Sequence, residues 1–151
     1  MPPIKIPQNW IAGLPDDRLQ IGSVFKTMVY DTNKPKEKYF VVVAESIDSI
    51  SLASVYINSE INPNLFRTAK LKELHIPISK QDCTFLKWDS FVDCSQLHEK
   101  NKIQLSTLLN ELNISPYMGT MPIEIFNRIL NKLIHTNTIP ILTKKRYGLI
   151  K

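Results

Sequence analysis

One apolar run in the first third of the chain constrains the fold most. Residues Tyr39–Glu45 read Tyr-Phe-Val-Val-Val-Ala-Glu, a nearly continuous series of aromatic and β-branched side chains. A run of this kind predicts a β-strand that is buried on both faces. It is far shorter than the ~20 apolar residues that cross a bilayer, so we expect no membrane span.

Other stretches with apolar residues at every second position predict further strands. These strands are Ile21–Tyr30, Ser51–Ile57, Ser90–Leu97, a weaker Leu74–Ile78 and a last strand within Ile139–Leu149. Pro77 places the weaker strand at an edge, because proline cannot donate to a strand ladder.

Two stretches near the end of the chain have the period of amphipathic helices, Lys102–Asn113 and Pro122–His135. Thr120 is the predicted N-cap of the second helix, with Pro122 in its first turn. Strands in series followed by helices predict a mainly β fold, a small β-barrel or curled sheet with C-terminal helices.

The length of 151 residues fits one domain, which we divide into three parts. Residues 1–20 form an irregular, proline-rich N-terminal arm, 21–136 the barrel with its helices, and 137–151 a basic C-terminal tail. The first residues lack the apolar core of a signal peptide. Cys83 and Cys94 lack metal-site spacing and are interpreted as packing residues of a protein in the reducing cytoplasm.

Positive charge is concentrated at one end of the chain. The net charge is +5, yet residues 125–151 alone carry six basic side chains and no acid. This segment either holds an anionic partner, such as nucleic acid or an acidic protein surface, or is a solvated tail. We expect no cofactor and no metal, because glycine-rich phosphate motifs are missing and the three histidines lack ligand spacing.

Several segments follow one another in an informative order. They are Ile21–Phe25, a polar loop that ends at Lys38, Tyr39–Glu45, Ala53–Ser59, Asp89–Gln96 and Met118–Phe126. In order and spacing they resemble the PemK/MazF-like (Kid/CcdB-type) toxin family. The resemblance implies a small SH3-like β-barrel and a homodimer. It also implies a metal-independent endoribonuclease that cuts single-stranded RNA and an antitoxin whose acidic tail fills the RNA groove.

The residues that match the family's active site differ from its pattern, so the chain is similar to a divergent member with an altered catalytic motif. The arginine of the family's Arg-Pro pair corresponds to Lys38, which keeps the charge but loses the bidentate fork. The Thr-Ser pair corresponds to Asn58 and Ser59. The arginine and acid of the Arg-Cys-Asp-Gln motif correspond to Asp93 and Ser95.

These matches, together with nearby basic and aromatic side chains, define the candidate site. The candidate catalytic residues are Lys38, Ser59, Arg67 and His75, and the candidate RNA-binding residues are Lys34, Lys36, Asn58, Thr68, Lys70, Lys72, Trp88 and Ser95. Arg67 would replace the lost phosphate fork, and His75 would exchange a proton, a role for which His98 is also considered. Each of these residues is alternatively an ordinary surface or packing residue.

Two functions remain open at this stage. The first is an endoribonuclease that acts on single-stranded RNA, with an antitoxin as its partner. The second is a catalytically inactive barrel of the same fold that binds a protein partner or nucleic acid.

Overall fold

The computed structural model describes residues 19–29, 36–61, 67–111 and 117–151. All but the last two residues of the predicted N-terminal arm lie outside these ranges, as does Lys34. Lys36 is the first residue of a strand, and its side chain is not among the described ones.

Seven antiparallel strands and four helices make up the described fold. The strands are β1 Ser23–Val29, β2 Lys36–Glu45, β3 Ser51–Asn58, β4 His75–Ile78, β5 Ser90–Asp93, β6 His98–Asn101 and β7 Tyr117–Thr120. The helices are α1 Ala69–Lys72, α2 Lys102–Glu111, α3 Ile123–His135 and α4 Ile141–Arg146. The prediction of a mainly β protein with C-terminal helices is confirmed. Each described helix is too short or too polar to cross a membrane.

The strands form one sheet in the order β4-β5-β3-β2-β1-β7, and β6 pairs with the remaining part of the β3 edge. Strand β4 lies at one end of this order, as Pro77 predicts. Among the described strands, β4 and β7 do not pair with each other, so the sheet is open between them.

Strand β2 lies between β1 and β3, and both of its faces are covered. Val41 and Val43 belong to the larger core, whereas Phe40 and Val42 belong to a second core on the opposite face. The sequence prediction of a strand buried on both faces is therefore confirmed.

Helix α3 covers the first face of the sheet. Its residues Phe126, Ile129 and Leu133 lie in the larger core, and burying each contributes roughly 1.5–3 kcal/mol. Cys83 and Cys94 are free and buried in the same core, which confirms their interpretation as packing residues. Burial of the thiol is the main reason that the pKa of Cys94 is raised to about 12, and the negative charge of nearby Asp93 raises it further.

Two sequence predictions are wrong at element boundaries. The strand predicted over Ser90–Leu97 ends at Asp93, because the Asp93 carboxylate accepts the backbone N–H and hydroxyl of Ser95 in a local turn. Thr120 belongs to β7 and does not cap α3, which is preceded by Pro122 without a side-chain cap. Sequence periodicity also missed α1, β6 and β7.

The predicted last strand within Ile139–Leu149 is a helix, α4. Pro140 has an extended backbone, and its carbonyl accepts the N–H of Lys144 to begin the helix. The Lys144 side chain is buried, and its Nζ donates to the carbonyl oxygens of Ile134 and Thr136, at 2.8 and 2.5 Å. It thereby satisfies carbonyls at the C-terminal end of α3, where a cation is also favoured by the helix dipole.

We predict that Lys144→Met lowers the free energy of unfolding by about 2–4 kcal/mol, because two buried carbonyls lose their donor. The matched control is Lys145→Met, because the Lys145 side chain is exposed on the same helix. This substitution should change the free energy of unfolding by less than about 0.5 kcal/mol. Urea unfolding of both variants measures the difference. Equal stability of the two variants would show that the Lys144 hydrogen bonds do not hold α3 and α4 together.

Candidate functional site

Four aromatic side chains cross the second face of the sheet in one line, here called the aromatic row: Tyr117, Phe25, Phe40 and Tyr56. Each is paired in register with the next, across β7, β1, β2 and β3. The Phe25 and Phe40 rings stack at 5.4 Å, and Phe25 meets Tyr117 edge-on at 5.7 Å. Because Phe25 and Phe40 are buried, the row is a rigid support rather than an open stacking surface.

Two lysines place their ammonium groups over this row. The Lys38 Nζ lies 4.9 Å from the centre of the Tyr56 ring, and the Lys100 Nζ lies 5.3 Å from the centre of the Phe40 ring. Both distances fall within the range of a cation–π contact. Since Phe40 and Tyr56 are direct cross-strand partners, the two cations lie over neighbouring rings.

The third polar group at the row is His98. Its ring stacks on Tyr56 with centroids 3.9 Å apart and planes 25° from parallel. Strand β6 sets this position, because His98 is the register partner of Ser54 and its carbonyl accepts the Ser54 hydroxyl at 3.2 Å. Lys38 and His98 therefore contact the same tyrosine ring, although they are 60 residues apart in the sequence.

His75, the other histidine considered, is enclosed. Its side chain is only 1% exposed, its Nδ1 lies 3.3 Å from the Leu71 carbonyl oxygen, and its Nε2 lies 3.6 Å from Asp93 Oδ1. A carbonyl only accepts, so Nδ1 carries the hydrogen. His75 thus joins α1 to the sheet, and in this conformation its imidazole does not reach the surface where a ligand would bind.

The candidate residues at the start of β2 and the end of β3 come together. Tyr39 pairs with Ile57, so the preceding Lys38 and the following Asn58 are neighbours at the same end of the sheet. Ser59 comes next and is exposed. This end of the sheet therefore carries a cation at Lys38, an amide at Asn58 and an exposed hydroxyl at Ser59.

The remaining candidates are distributed over other surfaces. Thr68 caps α1 by accepting the Leu71 N–H at 3.1 Å, and the exposed Arg67, Lys70 and Lys72 lie in or beside this helix, near β4. Two strands, β5 and β3, separate β4 from β2, which carries Lys38.

Trp88 and Ser95 are not part of the aromatic row. Trp88 lies in the loop before β5 with 66% of its surface exposed, which confirms it as an exposed aromatic residue. The Ser95 hydroxyl is held at 2.5 Å by Asp93, and its carbonyl accepts the Thr138 hydroxyl.

Ser95 also borders a cavity of about 580 Å³ between the β5–β6 connection and the segment that leads into α4. Glu99 lines this cavity and accepts the Tyr147 hydroxyl at 2.8 Å, with the Arg146 guanidinium at 3.3 Å. Burial, followed by the hydrogen bond to Glu99, raises the pKa of Tyr147 to about 12.

Among the described residues, no group of three or more His, Cys, Asp or Glu side chains is arranged to hold a metal ion. Neither a protein-family model nor a curated protein matches the chain.

We predict a stability loss at alkaline pH that depends on Tyr147. An unfolded tyrosine ionises near pH 10, whereas the folded Tyr147 has its pKa raised to about 12. The contribution of this group is complete below pH 10 and is lost as the pH rises toward 12, because only the unfolded state releases the proton.

Tyr147→Phe should lower stability at neutral pH by about 1 kcal/mol through the lost hydrogen bond. It should also unfold with a shallower pH dependence between pH 10 and 12 than the parent protein. Denaturant titrations at several pH values measure both effects. Parallel pH curves for the two proteins would contradict the raised pKa.

Proposed function

We propose that the chain binds single-stranded RNA on the face that carries the aromatic row and cleaves it without a metal, as a divergent PemK/MazF-like endoribonuclease. The observation that carries this proposal is the pair of ammonium groups, Lys38 and Lys100, over the adjacent rings of Tyr56 and Phe40. The proposal includes an SH3-like barrel fold, a homodimer and a cytoplasmic location.

Cations fixed on one sheet face suit a phosphate backbone, because phosphate contacts supply most of the sequence-independent affinity for nucleic acid. The aromatic rings restrict where the two ammonium groups lie, so little side-chain freedom is lost on binding. Successive phosphates of a single strand would meet Lys38 and Lys100 in turn, and Asn58 and Ser59 would donate to the ribose or base beside Lys38.

The position of Lys38 also suits cleavage. In the resemblance to the toxin family it takes the place of the active-site arginine, and its charge would stabilise the negative charge that develops on the phosphorane. A lysine provides this charge at a single point, so we expect slower cleavage than with a bidentate arginine.

A second candidate function is binding without cleavage, in a barrel that holds nucleic acid or a protein partner. The enclosed His75 favours it, as does Asp93, an anion at the position that corresponds to a family arginine. Under either function, an antitoxin with an acidic tail would compete with RNA for the same two lysines.

Incubation with a long single-stranded RNA in EDTA tests the proposal. We expect cleavage, and a gel shift at low salt that weakens as salt is added. Lys38→Met and Lys100→Met should each weaken binding, and each should reduce the slope of log affinity against log salt by about 0.7. Methionine retains an apolar chain over the ring, so the loss reports the charge.

The matched control is Lys145→Met, an exposed lysine on α4, which should bind like the parent protein. Binding without cleavage would support the second function. The absence of both a gel shift and cleavage would overturn the ribonuclease function and the nucleic-acid form of the second function, and would leave protein binding as the remaining candidate. Equal binding by all three variants would move the RNA site away from the aromatic row.

A further inference from the structure

We infer that His98 accepts the proton of the attacking ribose 2′-hydroxyl and that Tyr56 holds its imidazole in place. This inference rests on the proposed ribonuclease function and names the residue that would act as its base. It replaces His75, the residue that sequence reasoning favoured for proton exchange.

Geometry distinguishes the three histidines of the chain. His75 is enclosed between α1 and the sheet. His135 is exposed on α3, where its Nδ1 lies 2.8 Å from the Asn131 carbonyl oxygen at the end of the helix. His98 alone among the three stacks on a ring that also carries a lysine ammonium, so an imidazole and a cation contact one tyrosine side chain.

The position of His98 is fixed from two sides. The strand pairing with Ser54 and the hydrogen bond from the Ser54 hydroxyl hold its backbone, and the Tyr56 ring at 3.9 Å limits how the imidazole turns. A base that is already oriented contributes more to the rate than a mobile one, because its freedom is lost on folding and not during the reaction.

The reaction balances without a further reagent. The 2′-hydroxyl gives its proton to a neutral His98 ring nitrogen, and the 2′-oxygen forms a bond to phosphorus while Lys38 stabilises the charge on the phosphoryl oxygens. The bond from phosphorus to the 5′-oxygen breaks, and that oxygen takes a proton from water. His98 then returns its proton to the hydroxide, leaving a 2′,3′-cyclic phosphate and a free 5′-hydroxyl.

The test compares His98→Ala with the control His135→Ala on one RNA. We expect His98→Ala to cleave about 100-fold more slowly while it binds RNA within about threefold of the parent, because both lysines remain. Added imidazole should restore part of the lost rate in His98→Ala alone, since it fills the space left on Tyr56. His135→Ala should cleave at the parent rate.

A second variant and a second measurement protect the test from a folding defect. His98→Gln keeps a polar, similarly sized side chain that cannot accept the proton, and it should lose cleavage to the same degree. With an uncleavable 2′-deoxy oligonucleotide, the NMR signals of the His98 ring should shift, whereas those of His135 should not.

Each outcome decides one point. Cleavage at the parent rate in both His98 variants would overturn this inference and leave the ribonuclease function standing. Slow cleavage without imidazole rescue would assign His98 a structural role and would also overturn it. A parent protein that does not cleave RNA would overturn the ribonuclease function together with the role of His98.

Discussion

The valines at the centre of β2 lie between two cores, and this double burial determines what the rest of the sheet can carry. Val41 and Val43 face the core under α3, while Phe40 and Val42 face the core of the aromatic row. No polar side chain is tolerated there without a partner. Charged groups on this strand are therefore confined to its ends, and Lys38 is the charged residue nearest the row.

A lysine beside a buried aromatic core needs a substitute for the water it loses. At Lys38 and Lys100 the ring faces supply part of that substitute, because their negative quadrupoles attract the ammonium groups. An aromatic ring attracts an ammonium group but carries no net charge of its own. The rings therefore hold the cations in place without neutralising their charge.

The periodicity of apolar residues in the sequence correctly predicts a strand when the apolar pattern continues to the end of that strand. Val24, Val41 and Val55 belong to three strands of this kind, and all three valines are fully buried. Periodicity fails where a local hydrogen bond ends the strand before the alternating sequence pattern ends. The Asp93 carboxylate accepts the backbone N–H and the hydroxyl of Ser95 and so forms a turn. This turn interrupts the alternation of side chains between the two faces of the sheet before β6 begins. The face on which His98 lies therefore cannot be predicted by counting residues from Val92.

The same limit explains the choice between the two histidines. Both lie in strands and neither has a motif, so the sequence does not distinguish the enclosed His75 from the stacked His98. The difference arises from partners distant in the chain, Leu71 and Asp93 for one ring and Tyr56 for the other. Such contacts depend on the pairing of β3 with both β5 and β6, which a single sequence does not reveal.

Charge counted along the sequence is a poor guide to a binding surface in this protein. The segment 125–151 holds the whole positive excess, yet its Lys144 is buried as a cap for α3, and its Arg146 lies 3.3 Å from Glu99. Lys38 and Lys100 belong to the part of the chain whose charges nearly cancel. Because electrostatic attraction at close range depends on where charges are fixed, the charge summed over a segment does not locate the surface on which a polyanion would bind.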